Sequence, residues 1–307
     1  MADMNLKKEN FEVVGKDLKS SEEIVRKSLT YWQDAWMRLK ANRVALVALI
    51  IIIIMLGMAI FAPMMTEYSY DEQMYDRISQ PPNSENWFGT DELGRDLFAR
   101  VWQGARTSLF VAFVATFINV TIGVIYGGIS GYFGGKIDIV MMRIIEIIYS
   151  IPRLLWVILL LVVMKPGIKP IIIAIAITGW GGMARVVRGQ VLQLKQMEFV
   201  LAAKTLGADT SRILLKHLIP NTMGPIIINL TFQVPTAVFT EAFLSYLGLG
   251  IPAPAASWGS LAQSGTKMIL LYPHMLLFPA AMISIFMLAF NLLGDGLRDA
   301  LDPRLRA

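Results

Sequence analysis

Long apolar runs separated by polar, often basic stretches make up most of the chain after residue 43. A helix that crosses a bilayer needs about 20 mostly apolar residues, because hydrocarbon offers backbone amides no hydrogen-bond partner. Six segments meet that length, at 44–62, 107–133, 139–164, 168–190, 221–251 and 268–294. The third is the least regular because charged residues interrupt it. The pattern predicts an all-α membrane protein with six transmembrane helices.

The residues before the first apolar run are polar and show no secretory cleavage pattern. Apolar side chains nevertheless recur among them at helical spacing, at Val25, Leu29, Trp32, Trp36 and Leu39. Ser20 and Glu23 have the spacing of a capping box, so the sequence predicts an amphipathic helix over 21–41. We expect this helix to lie on the membrane surface; packing against a partner protein is the alternative.

Basic residues are distributed unevenly between the polar segments. Of the 28 Lys and Arg residues, 20 lie in 1–43, 134–143, 185–217 and 295–307, and 6 lie in 63–103, 164–170 and 251–272. Because short loops rich in Lys and Arg stay in the cytoplasm, the first set is expected inside together with both termini.

This orientation divides the chain into five predicted parts. They are a cytoplasmic leader with the interfacial helix (1–43), the first transmembrane helix (44–62), an external loop (63–103), a five-helix core (104–294) containing a cytoplasmic loop at 191–220, and a cytoplasmic tail (295–307). The external loop is longer than a helix connection usually is, so we expect it to have a role of its own.

Composition excludes several classes of function. The chain is 55% hydrophobic and 17% charged, below the roughly 25% charged residues of soluble domains. Its net charge of +5 is scattered between apolar runs, which gives no surface for nucleic acid. It has no cysteine and two histidines, which argues against a thiol or metal enzyme. The segment SGYFGGKI lacks the first glycine and last Ser or Thr of a phosphate loop, so we expect no cofactor here.

Glycines repeat every fourth residue in the second apolar run, at Gly123, Gly127, Gly131 and Gly135. Such a row forms a smooth stripe along one helix face, and small residues let helices approach closely in lipid. The stripe predicts helix packing and identifies no activity.

The most informative polar segment is 198–221, EFVLAAKTLGADTSRILLKHLIPN. An Ala-rich helix should end at Gly207, which can adopt a left-handed backbone, and a second helix should begin after Asp209 as N-cap. Pro220 is expected to start the next element. Ala202 and Ala203 give the first helix a face with little side-chain bulk, suited to burial in a groove of another protein.

This segment resembles the cytoplasmic EAA loop of bacterial ABC importer permeases. In that loop Glu-Ala-Ala, a glycine four residues after the second alanine, and a terminal Leu-Pro recur at fixed spacing, which Ala202, Ala203, Gly207 and Pro220 match. Leu201 departs from the pattern because the family usually has Glu at this position.

Other segments are similar to the C-type permease of dipeptide and oligopeptide importers. They are FGTDELGRDLFARVWQGARTSL, GGKIDIVMMR, SYLGLGIPAPAASWGSLA and NLLGDGLRDALDPRLR. The resemblance covers nearly the whole chain after residue 40. Two departures are Ile219, where the family has Leu, and Arg153, where it more often has a small polar residue.

The resemblance implies a type I ABC importer fold in the bacterial inner membrane. It implies a homologous second permease, two cytoplasmic ATPases that bind ATP and Mg, and an extracellular binding protein that delivers oligopeptides or dipeptides. This chain would transmit force and catalyse nothing, with residues 208–218 as the docking element. The residues implied in ATPase coupling are Ala202, Ala203, Gly207, Ala208, Asp209, Arg212, Lys216 and Pro220.

Charges inside apolar runs need a reason, since each costs about 3 kcal/mol at a helix centre on insertion scales. Arg143 and Glu146 lie three residues apart and are expected to pair. Glu241 and Arg153 are candidates for the translocation pathway, as contacts for the amino and carboxyl ends of a peptide. Structural roles for both are the alternative.

The external loop is rich in acids that could contact a binding protein, namely Asp71, Glu72, Asp76, Asp91, Glu92 and Asp96. The alternative is that FGTDELGRD only folds the loop onto the bundle, with Thr90 capping its turn and Arg95 pairing with Asp96.

Four other functions remain open from the sequence. An ABC permease could carry nickel or a glycoside, and an ion-coupled secondary transporter would have no use for residues 202–220. An intramembrane enzyme would need a nucleophile and base or a metal cluster, for which two histidines give no support. A receptor or scaffold would tolerate loss of residues 204–216.

Overall fold

The computed structural model describes residues 30–302, and this part of the chain is almost entirely helical. The α-helices are α1 Tyr31–Ala41, α2 Arg43–Phe61, α3 Leu97–Phe133, α4 Gly135–Ser150, α5 Arg153–Val163, α6 Ile168–Leu194, α7 Glu198–Thr205, α8 Thr210–Arg212, α9 Ile219–Asn221, α10 Met223–Tyr246, α11 Trp258–Lys267 and α12 His274–Leu301. A π-helix at Ile213–Leu218 joins α8 to α9, and short 3₁₀ turns lie at Ala62–Met64 and Tyr75–Arg77.

Five helices are long and apolar enough to cross a membrane: α2, α3, α6, α10 and α12. The third predicted span is different, because α4 and α5 bend by 78° at a break. Ile151 is extended there, and Pro152 both lacks a backbone N–H and disfavours a helical residue before it. The described chain therefore has five spans, or six if α4 and α5 together form one.

Several predicted boundaries differ from the structure. The loop after α2 ends at Asp96 rather than at residue 103, because the side chain of Asp96 caps α3 by accepting the N–H of Ala99. The predicted span began at residue 107 because charged residues precede it. One of these is Arg106, whose guanidinium donates to the carbonyls of Ala59 and Ile60 and is thereby satisfied. At the other end of the chain, α12 continues to Leu301 through the predicted tail.

The amphipathic helix is present only over part of its predicted range among the described residues. Thr30 is extended and forms a capping box with Gln33, so α1 begins at Tyr31, and the predicted range 21–29 lies outside the described residues. The predicted cap residues Ser20 and Glu23 lie outside the described residues. The Tyr31 hydroxyl donates to the carbonyl of Leu301, which fixes α1 against the end of α12.

Glycines bring α3 and α6 into backbone contact, as the stripe predicted. Gly123, Gly127 and Gly131 all face α6. A Cβ on Gly127 would overlap the carbonyl oxygen of Ala184, so any larger residue would separate the helices. Gly135 is an exception because α3 ends before it; it begins α4 with φ +54 and open space beside it.

The remaining long helices share one apolar core. On α2 the buried residues recur every third or fourth position, at Ala45, Ala48, Ile52, Met55 and Ala59. This face packs against α12, where Gly296 lies so close to Ala45 that a Cβ on the glycine would collide with it.

Helix α11 packs against α12, α10 and α3. The Trp258 indole donates to the carbonyl of Val101 at 3.1 Å and is fully buried. A Cβ on Gly259 would overlap the carbonyl of Ala242, and a Cβ on Gly104 would lie 3.1 Å from the Ser257 backbone. Small residues at these contacts, Gly259 on α11 and Gly104 on α3, therefore allow α11 to pack closely against α10 and α3.

The glycine contact gives a first testable prediction. Gly127→Ala should destabilise the chain by about 1–3 kcal/mol, because the new methyl group meets the backbone of α6. Gly189→Ala is the matched control: this glycine is also helical, has nothing near its Cβ position, and should gain slightly in stability. Thermal unfolding of the purified membrane complexes measures both. Equal melting temperatures for the two variants would contradict the packing.

Candidate functional site

The 198–221 segment begins with a short helix whose end is as predicted. Helix α7 stops at Thr205, and Gly207 has φ +80. The N–H of Ala208 donates to the carbonyl of Ala203, and the N–H of Gly207 donates to that of Lys204, both at 3.0 Å. These two bonds form a Schellman motif, which needs the left-handed glycine.

The second part of the segment starts at the predicted N-cap. The Asp209 carboxylate accepts the N–H of Arg212 at 3.2 Å, and α8 follows. From Ile213 to Leu218 the chain then forms a π-helix, in which the N–H of Ile219 reaches back five residues to the carbonyl of Leu214. The sequence did not indicate this wider helix, whose sites are often functional.

One face of the segment is anchored to α6. Val200, Ile213 and Leu218 are buried, and they share a core with three residues of α6, namely Met183, Val187 and Val191. The Thr210 hydroxyl also donates to the Tyr132 hydroxyl near the end of α3, at 3.4 Å. The segment is therefore packed as one unit with the paired helices α3 and α6.

The opposite face carries large apolar side chains in the open. Leu206 is 88% exposed, Leu215 is 67% exposed and Leu201 is 51% exposed. Sequence reasoning missed these leucines and treated Leu201 only as a departure from a motif. The sequence did contain an indication of them, since leucines in an otherwise polar loop are more favourable in a protein interface than in water.

The predicted residues of this segment lie around the same exposed face. The exposed residues are Ala202, Gly207, Asp209, Arg212, Lys216 and Pro220, and the half-buried ones are Ala203 and Ala208. Pro220 lies at the start of the next element, as expected. It lies in the first turn of α9, where a missing N–H is tolerated, and only Thr222 separates α9 from α10.

An ion pair beside this segment ties α4 to α6. The Arg188 guanidinium donates from two nitrogens to the two carboxylate oxygens of Asp138. Ser130 on α3 donates to the same carboxylate at 2.6 Å. Lys195 donates to the carbonyl of Gly131 at 2.9 Å. Three helices thus meet in one hydrogen-bonded network at the end that leads into α7.

Glu241 lies on α10 with no exposed surface. Its carboxylate accepts hydrogen bonds from the hydroxyls of Ser108 and Ser245, each at 2.7 Å. The Ser108 hydroxyl oxygen in turn accepts a hydrogen bond from the backbone N–H of Trp258 at 3.2 Å. This arrangement joins α3, α10 and α11 and leaves no surface for cargo, so the structure does not support the predicted pathway role of Glu241.

The other charges within the spans differ in their partners. Arg143 and Glu146 pair at 2.7 Å on an exposed face of α4, as predicted. Arg153 begins α5 immediately after the bend. It donates to the Thr240 hydroxyl of α10 at 3.1 Å and forms no salt bridge within residues 30–302.

The loop between α2 and α3 folds onto the bundle through the predicted FGTDELGRD motif. The Thr90 hydroxyl donates to the carbonyl of Arg77, and its oxygen accepts the N–H of Gln80. Arg95 pairs with Asp91 at 2.7 Å and not with the predicted Asp96.

Two of the six loop acids are therefore structural. Asp91 also lies 3.2 Å from the buried Arg100, and Asp96 accepts from the Asn86 side chain at 2.8 Å. Burial raises the pKa of the Asp96 carboxyl, and the hydrogen bonds from the Asn86 side chain and from the backbone at the start of α3 partly offset this increase. The acids that remain exposed are Asp71, Glu72, Asp76 and Glu92.

A helical membrane core that holds a packed, partly apolar loop is the arrangement of a transporter permease. The family model described as "Binding-protein-dependent transport system inner membrane component" matches residues 119–307, more than half of the chain. A second model, "N-terminal TM domain of oligopeptide transport permease C", matches residues 30–82. The chain belongs to the family of binding-protein-dependent transport system inner membrane components. It is a multi-pass permease subunit of an ABC importer, a class in which other subunits hydrolyse ATP and a binding protein supplies cargo.

Three curated relatives align along nearly their whole length. The oligopeptide transport system permease protein OppC of Bacillus subtilis (strain 168) is 54% identical over 302 residues, covering 98% of this chain and 99% of the relative. The dipeptide transport system permease protein DppC of the same strain is 55% identical, with 94% and 90% covered. The glutathione transport system permease protein GsiD of Escherichia coli O6:K15:H31 is 39% identical, with 90% and 92% covered.

Solved structures share the fold at low identity. A chain of the MetNI methionine ABC transporter, in an inward-facing conformation, superposes with a TM-score of 0.54 at 19% identity, covering 67% of this chain and 96% of that one. An amino acid ABC transporter with histidines gives a TM-score of 0.50 at 20% identity, with 64% and 92% covered. These similarities concern the fold alone.

The burial of Glu241 gives a second prediction. Glu241→Leu should lower the melting temperature of the complex by several degrees, because the Ser108 and Ser245 hydroxyls lose their acceptor at roughly 1–3 kcal/mol each. Glu146→Leu is the control, since its carboxylate is exposed and paired only with Arg143. Glu241→Leu should not change which cargo the surviving complex prefers. A changed cargo preference at unchanged melting temperature would restore the pathway role.

Proposed function

We propose that this chain imports oligopeptides or dipeptides that an extracellular binding protein delivers. The single observation that carries this cargo class is that relatives covering nearly the whole chain at 54% and 55% identity are named oligopeptide and dipeptide permeases. The domain shared with a glutathione permease extends the similarity to another peptide.

The 198–221 segment is proposed to couple this chain to a cytoplasmic ATPase. Its exposed Leu201, Leu206 and Leu215 offer an apolar face on an otherwise polar loop, which favours burial in a cleft of a partner. The buried face is packed on α6, so a force applied to the leucines would reach the bundle without first deforming the loop.

The proposed orientation places this segment and the leader on the cytoplasmic side. The excess of Lys and Arg in 1–43, 185–217 and 295–307 supports it. The loop between α2 and α3 would then face outward, where its exposed acids Asp71, Asp76 and Glu92 would meet the binding protein.

The proposed assembly has four further subunits or proteins: a homologous second permease, two ATP-binding subunits and the peptide-binding protein. Copurification of the native complex tests it directly. We expect a second permease and ATPases to travel with this chain, and ATP hydrolysis by the reconstituted complex to rise when peptide-loaded binding protein is added. ATPase stimulation by a loaded binding protein for another solute, and none by peptide, would overturn the cargo.

A third prediction concerns Leu206, the most exposed leucine of the 198–221 segment. Leu206→Asp should lower peptide uptake by tenfold or more while the chain still assembles in the membrane, because 88% of this side chain is exposed and supports no internal packing. Leu206→Met keeps the apolar face and is the control. The measurements are uptake in cells and the amount of ATPase that copurifies. Normal uptake by Leu206→Asp would contradict docking through this face.

A further inference from the structure

A small cavity lined by apolar and polar side chains lies where α3, α5, α6 and α10 meet. Its volume is about 70 Å³. The side chains that define it as a polar site are Asn119, Arg153, Gln233 and Thr240, which we call the membrane polar cluster. The cavity has room for a few water molecules, which is enough for one terminal group of a ligand and too little for a whole peptide.

Two hydrogen-bond acceptors of this cluster have no partner in the structure. They are the side-chain oxygens of Asn119 and Gln233, both buried. Asn119 is 4% exposed, and an unmade hydrogen bond at such a position costs about 1–3 kcal/mol. An orphaned acceptor at membrane depth is therefore a place where a donor from outside the chain would bind favourably.

Both amides are held in place by neighbouring groups. The Gln233 nitrogen donates to the Asn229 oxygen at 2.8 Å, which leaves the Gln233 oxygen free. The Asn119 amide lies against the Cα of Gly179, in space that a Cβ there would occupy. Packing therefore fixes both amides, and because their oxygens are themselves buried, a donor from a ligand reaches them only when these side chains move slightly towards the cavity.

The third member supplies an uncompensated positive charge. Arg153 donates one hydrogen bond to the hydroxyl oxygen of Thr240. The Thr240 hydroxyl itself donates to the carbonyl of Thr236 at 2.7 Å. A guanidinium has five N–H donors, so most remain available. Because Arg153 has no carboxylate partner within residues 30–302 and follows the 78° bend, its exposed side must face water or another protein rather than lipid.

We propose that the membrane polar cluster binds the carboxyl end of a peptide in transit. Arg153 pairs with the terminal carboxylate, and the oxygens of Asn119 and Gln233 accept N–H groups of the last residues. These contacts involve only the terminal carboxylate and the backbone N–H groups of the peptide. They are therefore compatible with peptides of different side chains. The inference rests on the proposed peptide cargo and adds to it the part of the peptide that this chain recognises.

The test compares two cargoes that differ only in that carboxylate. Uptake of one tripeptide with a free carboxyl end and of its C-terminal amide is measured in proteoliposomes that contain the whole complex and binding protein. Arg153→Gln should lower uptake of the free acid about tenfold and leave that of the amide within twofold of wild type. Comparing each variant with wild type on the same peptide cancels any preference of the binding protein.

Matched variants separate recognition from folding. Arg143→Gln removes an exposed arginine of the preceding helix and should change neither uptake. Arg153→Lys keeps the charge and should recover part of the preference for the free acid. Gln233→Glu is nearly isosteric and places a carboxylate in the cavity, so it should lower free-acid uptake selectively through repulsion.

The possible outcomes are distinct. Equal losses for acid and amide in Arg153→Gln would mean that the arginine only anchors the bend, and wild-type uptake of both would mean that it has no role; either result overturns the proposal while peptide import stands. If the wild-type complex transports neither peptide, the proposed cargo itself fails.

Discussion

Backbone contact between α3 and α6 is the constraint on which the rest of the structure depends. Gly123, Gly127 and Gly131 let the two helices approach until Cα atoms of one meet carbonyls of the other. In lipid there is little hydrophobic force between helices, so such close van der Waals contact is a main source of association. Because α6 also carries the buried face of the 198–221 segment, the pair determines where that segment lies.

Polar groups inside the bundle divide into those that are satisfied and those that are not. Glu241 is completely satisfied by two serine hydroxyls and fastens three helices together. Arg153 has no carboxylate partner within residues 30–302, and the buried side-chain oxygen of Asn119 accepts no hydrogen bond. Hydrogen bonding, and not the charge of a residue, therefore distinguishes the structural site of Glu241 from the proposed ligand site.

The sequence predicted best what short-range chemistry decides. Gly207 and Asp209 behave as foreseen because a C-cap and an N-cap are set within a few residues. The α3 glycines were read correctly because a four-residue repeat defines a helix face without knowledge of the partner. Arg143 and Glu146 paired for the same reason, since three residues span one turn.

What depended on tertiary partners could not be predicted. Adjacent Arg95 and Asp96 suggested a pair, but the fold directs Arg95 to Asp91 and uses Asp96 as the cap of α3. Glu241 looked like a pathway residue because nothing in the sequence reveals Ser108, 133 positions away, as its donor. The same limit hid the unpaired oxygen of Asn119, whose amide lies in the space that a side chain at Gly179 of α6 would occupy.

A single helical run connects the loop with the membrane polar cluster. From Thr210 the chain passes through α8, the π-helix, α9 and α10, with Thr222 as the one residue between α9 and α10. Gln233 and Thr240 lie on the same run. Helices are stiff along their axis, so under the proposed coupling a displacement of Leu215, the one of the three leucines that lies on this run, would be carried towards the cavity. The π-helix is the part of this run with the weakest regular geometry, and bending there would let the loop turn without pulling α10 out of contact with α3.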